Sequence, residues 1–254
     1  MLTCALINLK GGVGKTAQTL GLAGAASEAG VPVLVIDLDP QANTTLCLLP
    51  DLDVDQALTA NDVMVADQPG SIEQAIHRTA WPGVDLVPAQ LELDSREFDA
   101  AANSTHRLRR AMRGLSGYDL VLIDCRPSVG RLTTNALVAA QRALVVTDPE
   151  RAAIRGISEA IKHVNVVAED LNPELRLAGI VVNRVSPRLT ETTYRLEEVH
   201  QQYGSTVWEP TVPDRTVVAQ AFGAGVPVHS IGGPAGKEVA AAYRAHLTHL
   251  LDRS

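Results

Sequence analysis

The stretch LKGGVGKT, residues 9–16, decides how the rest of the chain is read. It departs from the ordinary phosphate-binding loop, G-x-x-x-x-G-K-[ST], in having Leu9 where the first glycine belongs and in carrying a second lysine, Lys10. An apolar run, LTCALIN (2–8), precedes it, and a segment rich in Ala and Leu, from Gly14 to Ala29, follows it. Strand, glycine loop, helix is the order a phosphate site requires. Gly11, Gly12 and Gly14 let backbone N–H groups converge on phosphate oxygens, and the helix N-terminus adds the positive end of its dipole. In such a loop Lys15 neutralises the β- and γ-phosphates and the Thr16 hydroxyl ligates Mg2+. An ordinary glycine-rich turn with a solvated lysine is the weaker reading, because residue types, order and context all agree.

Working outward, further apolar runs recur: VPVLVIDLD (31–39), VDLVP (84–88), YDLVLID (118–124), RALVVTD (142–148) and LAGIVVNR (177–184). They do not alternate with polar residues, which suits parallel strands covered on both faces, and the segments between them are long enough for crossover helices. The fold class expected is therefore α/β, a doubly wound, mostly parallel sheet with helices on both faces. Residues 50–82 read as short helices and loops, and GKEVAAAYRAHLTHLLDRS at the C-terminal end reads as a docked helix. At 254 residues the chain has room for a substantial core, and one domain over 1–254 is the expectation.

Composition narrows the function classes. Apolar residues make up 46% of the chain, but no run approaches the roughly 18 to 20 residues of a membrane-spanning helix. The first residues lack a basic n-region, so no signal peptide is expected and the compartment expected is the cytoplasm. Cys4, Cys47 and Cys125 show no C-x-x-C spacing, which argues against a zinc site or a disulfide framework. A net charge of −7 argues against wholesale coating of nucleic acid, and with only two Trp, four Tyr and two Phe a base-stacking surface is not expected. Any DNA contact must go to the backbone.

A magnesium site needs a carboxylate at a strand end, and Asp124 suits that place. Asp37 and Asp39 close a neighbouring strand. One can orient attacking water while the other caps a turn. KGGVGKT, DLDPQANTT and YDLVLIDCRPSVG together resemble the deviant Walker A ATPases of the ParA/MinD superfamily, and the small ParA/Soj-type partition ATPases in particular. VVNR (181–184) and VPDRTVVAQAFGAGVPV (212–228) extend the resemblance towards the adenine side. It implies ATP and Mg2+ as cofactors, held by Lys10, Gly11, Gly12, Val13, Gly14, Lys15, Thr16 and Ala17, with Asn183, Pro213 and Asp214 at the adenine. It gives Lys15 the phosphates of its own subunit and Lys10 those of a partner in a nucleotide-sandwich homodimer. Asp39 positions water and stands with Thr16 and Asp124 as the metal set.

The resemblance further implies nonspecific DNA binding and a centromere-bound, ParB-like adaptor that stimulates hydrolysis, with the protein associated with the nucleoid. Candidate DNA contacts are Arg184, Arg188, Arg195, Arg215, Lys237 and Arg244. Arg107, Arg110 and Arg113 in RLRRAMR (107–113) form a second basic stripe if the segment is helical. The first strand begins at residue 2, so operator-specific repression through a preceding helix-turn-helix is not expected. Three positions depart from the family pattern. Ala17 replaces a threonine, Leu9 replaces a polar residue, and Arg126 replaces the first proline of D-x-P-P-S, where it can meet phosphate, a partner subunit or solvent. A MinD-like membrane ATPase and a ParA-like ATPase with a protein or organelle cargo are the alternatives.

Overall fold

Residues 1–186 and 190–252 are described by the computed structural model. In chain order the elements are β1 (Leu2–Ile7), α1 (Lys15–Ala29), β2 (Val33–Leu38), α2 (Asn43–Leu48), α3 (Ala60–Ala66), β3 (His77–Arg78), β4 (Val84–Val87), α4 (Arg107–Ala111), β5 (Leu120–Cys125), α5 (Arg131–Ala139), β6 (Arg142–Thr147), α6 (Arg151–Asp170), β7 (Arg176–Val182), α7 (Thr190–Tyr203), α8 (Thr216–Gly223) and α9 (Gly233–Leu251). Seven strands form one sheet in the order β3-β4-β2-β5-β1-β6-β7. All neighbours are parallel except β3 and β4, an antiparallel edge pair that the irregular composition of residues 50–82 did not announce.

The strand runs are unbroken and apolar because both faces of the sheet are covered. Ile7, Ile36, Ile123 and Val145 pack on one face with Leu132 of α5 and Ile157 of α6. Leu6, Val35, Leu122 and Leu144 pack on the other with Leu20 of α1 and Leu247 of α9. Each fully buried side chain of this kind contributes roughly 1.5 to 3 kcal/mol through the area it removes from water. Gly21 lets α1 and α9 touch, since a Cβ there would lie 2.4 Å from the Tyr243 ring. All three cysteines are buried. No helix among the described residues is long and apolar enough to cross a membrane.

This topology gathers the site. Strand β1 lies between β5 and β6 while its chain continues to β2 on the far side of β5, so the direction of winding reverses beside it. The register sets Leu6 opposite Asp124 and Asp37 opposite Asp124. Three strand ends therefore open into one crevice, where ligands of doubly wound sheets bind. Beyond β7 the chain returns: Val185 N–H donates to Val212 O and Asp214 N–H to Val185 O, both at 3.0 Å, which carries Pro213 and Asp214 to the same edge.

Candidate functional site

Gly12 and Gly14 have φ of 82° and 93°, values that a side chain at Cβ strains. At Gly14 a Cβ would also meet Asn183 Nδ2 at 2.6 Å. That approach is functional in shape. The Asn183 amide donates to Gly14 O at 3.1 Å and Val13 O at 3.3 Å, tying the loop backbone to the end of β7. Asn183 was expected at the adenine. Its geometry adds a role as a loop clamp, and its buried Oδ1 has no partner.

Lys15 is 6% exposed and opens α1 at the floor of a pocket of about 670 Å³ that Gly11, Gly12, Gly14, Thr16, Ala17 and Asp39 also line. Burial lowers its pKa against the pull of Asp124 and Asp39. A buried cation of this kind is stabilised by an anion brought to it. A second cavity of about 340 Å³ shares Gly14, Ala17, Arg184 and Phe222 with the first and is lined by Asn183, Pro213 and Asp214. The residues expected at the adenine thus meet at one end of a continuous crevice, with the glycine loop at the other.

Asp124 is 1% exposed, and its Oδ2 accepts the hydroxyls of Thr16 at 2.8 Å and Thr44 at 2.7 Å. Oδ1 is buried and without a partner. Burial raises the pKa of this carboxyl, while the two threonine hydroxyls and then Lys15 pull it down. An orphaned buried carboxylate oxygen costs free energy of about 1 to 3 kcal/mol or more unless something is delivered to it. A hydrated magnesium ion bound through one carboxylate and substrate phosphates is a fitting recipient. The residues present therefore suit a magnesium–nucleotide complex, with Thr16 and Asp124 as the metal-side groups.

The two aspartates of DLDPQAN divide their tasks. Asp37 is fully buried, with Oδ2 accepting from the Thr45 hydroxyl at 2.7 Å and the Thr45 N–H at 2.9 Å, and Oδ1 from the Asp39 N–H at 3.1 Å. Burial and then the facing Asp124 push its pKa up. Asp37 is the turn clamp. Asp39 lines the pocket, its Oδ1 accepting from Gln41 N–H at 3.0 Å. Thr44 and Thr45, adjacent on α2, fix the two carboxylates, and Thr45 Oγ1 also accepts from Ala89 N–H at 2.9 Å. Sequence reading passed over both threonines. The NTT triplet directly after DLDPQA was the available signal.

Lys10 turns away from this crevice. It lines a separate open groove with Arg151 and Arg155, and its Nζ lies 3.3 Å from Asp148 Oδ1 and in contact with Glu150 Oε2. Burial works against its charge, but Glu150 and Asp148 together overcome that and hold its pKa above the ordinary lysine value. Asp148 and Glu150 were not singled out from the sequence, since nothing local marks them as partners of a residue 138 and 140 positions away.

Arg126 chooses none of the places offered to it by sequence. It reaches Asp94 at 2.6 Å and Glu97 at 3.4 Å, fastening the loop after β5 to the 3-10 segment Leu91–Phe98. Arg107 and Arg110 are likewise occupied: Arg107 pairs with Asp99 at 2.8 Å and Arg110 with Asp67 at 3.0 Å. Helix α4 ends at Ala111, so Arg113 falls in the turn beyond it and no three-residue basic stripe forms.

Of the candidate DNA contacts, Arg195 pairs with Glu191 and Glu198, both at 2.9 Å, Arg215 with Glu238 at 2.9 Å and Arg244 with Glu28 at 2.9 Å. Such surface pairs are worth only about 0 to 1 kcal/mol. Lys237 is exposed near the start of α9. Arg184, with φ of 56°, is exposed and lines both cavities of the crevice. Arg188 lies outside the described residues.

Known proteins resemble this chain over most of its length. A family model described as an AAA domain matches residues 1–177. The sporulation initiation inhibitor protein Soj of Bacillus subtilis is 31% identical over 228 residues, covering 88% of this chain and 88% of its own. The chromosome partitioning protein ParA of Caulobacter vibrioides is 32% identical over 229 residues, covering 88% and 85%. Among solved structures, a protein of Mycobacterium smegmatis named cobyrinic acid a,c-diamide synthase, with a bound ATP analogue and magnesium, superposes with a TM-score of 0.82 at 29% identity, covering 100% of this chain and 97% of the other.

Proposed function

The chain belongs to the AAA-domain family of ParA/Soj-type P-loop ATPases, and from that premise we propose that it is a partition ATPase working as a nucleotide switch. It binds ATP with Mg2+, closes a sandwich homodimer, and in that state holds DNA without sequence preference. A ParB-like adaptor bound at a centromere-like site stimulates hydrolysis of ATP to ADP and phosphate, and the DNA is released. Such a protein acts in the cytoplasm, on the nucleoid.

The observation that carries this reading is the opposed placement of two lysines from one loop. Lys15 is buried in the crevice, where it can hold phosphate in its own subunit. Lys10 lies on the other side of the loop, in a groove that the crevice does not include. A lysine held outside its own subunit's crevice supports a role towards a nucleotide bound by another subunit. When the magnesium–nucleotide complex is bound, the metal supplies charge neutralisation at the phosphates. Thr16 and Asp124 would hold it, Lys15 would steady the phosphates and Asp39 would orient water at the open side of the pocket.

Two features favour DNA over a lipid surface as the scaffold. The apolar side chains of α9, among them Tyr243, Leu247 and Leu250, are buried against the rest of the fold and are not free to enter a bilayer. The paired surface arginines, doubled in a symmetric dimer, suit a salt-sensitive phosphate contact. Retention of the protein on nonspecific DNA, with and without Mg·ATP over a salt series, tests the proposal. ATP-dependent retention that Lys15→Ala abolishes is expected. Equal retention of wild type and variant removes the switch.

A further inference from the structure

The anchor beneath Lys10 is more elaborate than a surface lysine needs. Asn8, 1% exposed at the end of β1, accepts the Lys10 N–H at 3.0 Å through Oδ1 and donates through Nδ2 to Val146 O at 2.7 Å. Helix α6 comes down on this asparagine at Gly156, where a Cβ would lie 2.6 Å from Asn8 Oδ1. The backbone of Lys10 is thereby fixed to the strand end, and its side chain is aimed at the next strand over. There Asp148, whose side chain is 4% exposed, follows β6, and Glu150, 68% exposed, stands immediately before α6. Among the described residues, the other hydrogen bond at the Asp148 carboxylate is a long one, 3.4 Å, from the Glu150 N–H.

We propose that Asp148 and Glu150 are positioning residues that park Lys10 in the nucleotide-free subunit, so that every subunit entering a dimer must first release its lysine. This rests on the sandwich-dimer reading above for its consequence, though the parked state itself belongs to the single subunit. The physical argument is charge compensation. A carboxylate as buried as Asp148 needs a cation, and withdrawing Lys10 leaves it, among the described residues, with one weak backbone hydrogen bond, an expensive state for a charge out of water. The latch therefore weakens the dimer more, the smaller the fraction of subunits in which Lys10 is free. A symmetric dimer releases two lysines, so the effect enters twice. Subunits without nucleotide stay apart by default, and the partner's phosphates must out-compete two acids for Lys10.

The chain contains only four lysines, Lys10, Lys15, Lys162 and Lys237, which makes the parked state directly measurable. Lys162 and Lys237 are exposed and serve as internal standards in the same molecule. Acylation of the nucleotide-free protein with an amine-reactive ester, read by peptide mass spectrometry, should label Lys10 about three- to tenfold more slowly than the two standards, since an ion-paired amine is partly withdrawn from reaction. Asp148→Asn and Glu150→Gln should each bring Lys10 towards the standards without altering Lys162 or Lys237. Sedimentation with Mg·ATP should then show the variants dimerising more tightly than wild type, by about tenfold or more because two latches open per dimer.

Equal labelling of Lys10 and the standards in the wild-type protein overturns the latch. So does an unchanged or weaker ATP dimer in Glu150→Gln, which sits at the surface and keeps the fold intact if Asp148→Asn does not. A wild-type protein that fails to dimerise with ATP overturns the proposed function instead, and the labelling still decides the latch.

Discussion

Lys10 and Lys15 lie five residues apart in one loop, yet the fold treats them as opposites. Lys15 is enclosed at the start of α1, with burial pressing its pKa down and Asp124 and Asp39 pulling it back. Lys10 lies outside the crevice, with Glu150 and Asp148 overcoming a partial burial and pushing its pKa up. The first is a buried cation that a bound anion would stabilise. The second already has its anions. A glycine loop can therefore carry two identical side chains to two different tasks, because what a charge does depends on which counter-charge the fold has left unpaired.

The largest effect on nucleotide affinity is expected from Lys15→Ala. Removing the one buried cation in the pocket should weaken ATP binding by about a hundredfold or more, as loss of one member of a buried charge pair does, measured by titration calorimetry. If affinity survives, Lys15 is not the lysine that holds phosphate, and the contrast collapses.

Asp124→Asn comes next. The amide keeps the shape but not the charge that a magnesium ion needs, so ATP binding in Mg2+ should fall to the level seen when the metal is removed by chelation, a drop of about ten- to a hundredfold. A variant still strengthened by Mg2+ places the metal elsewhere.

Raising pH separates the lysines without mutation. The lowered pKa of Lys15 means that its charge is lost first as pH climbs, while Lys10, with a raised pKa, stays protonated longer. ATP affinity of the single subunit should therefore decline at a lower pH than the charge state of Lys10 changes, as read from the amine nitrogen resonance of each lysine. The reverse order contradicts the burial argument.

Ala17→Thr should strengthen ATP binding by only about two- to tenfold, the worth of one added hydrogen bond at the lining of the crevice. Lys10→Ala should have the smallest effect of all on ATP binding by one subunit, a change of no more than about threefold since it touches no group in the pocket, while abolishing the ATP-dependent dimer seen by sedimentation. A large loss of single-subunit affinity in that variant makes Lys10 a cis residue.

Much of the fold was legible because its strands are buried on both faces. β1, β2, β4, β5, β6 and β7 each announce themselves as unbroken apolar runs, and α1 as an Ala- and Leu-rich segment closed by Gly30. The two-residue β3 was not, since an edge strand that short carries no period. The phosphate loop was legible because backbone geometry demands glycine at particular places. Its supports were not. Thr44 and Thr45 acquire meaning only when α2 brings them over Asp124 and Asp37, and Glu97 only when the 3-10 segment brings it to Arg126. The basic stripe of RLRRAMR failed for the same reason, since Arg107 and Arg110 find Asp99 and Asp67 across the fold and the helix stops before Arg113.

The sequence by itself determined that a glycine loop joins a buried strand to a helix, that a nucleotide's phosphates belong there, and that two lysines flank the glycines. Those features are local, written in residue types whose steric and electrostatic consequences need no distant partner. Only the tertiary structure decided that Lys15 is enclosed while Lys10 leans on Asp148 and Glu150, that Asp37 clamps while Asp39 faces the pocket, and that one oxygen of Asp124 is left without a partner. Such facts depend on burial and on pairings that reach as far as 140 residues along the chain, and both are set by which strands lie side by side.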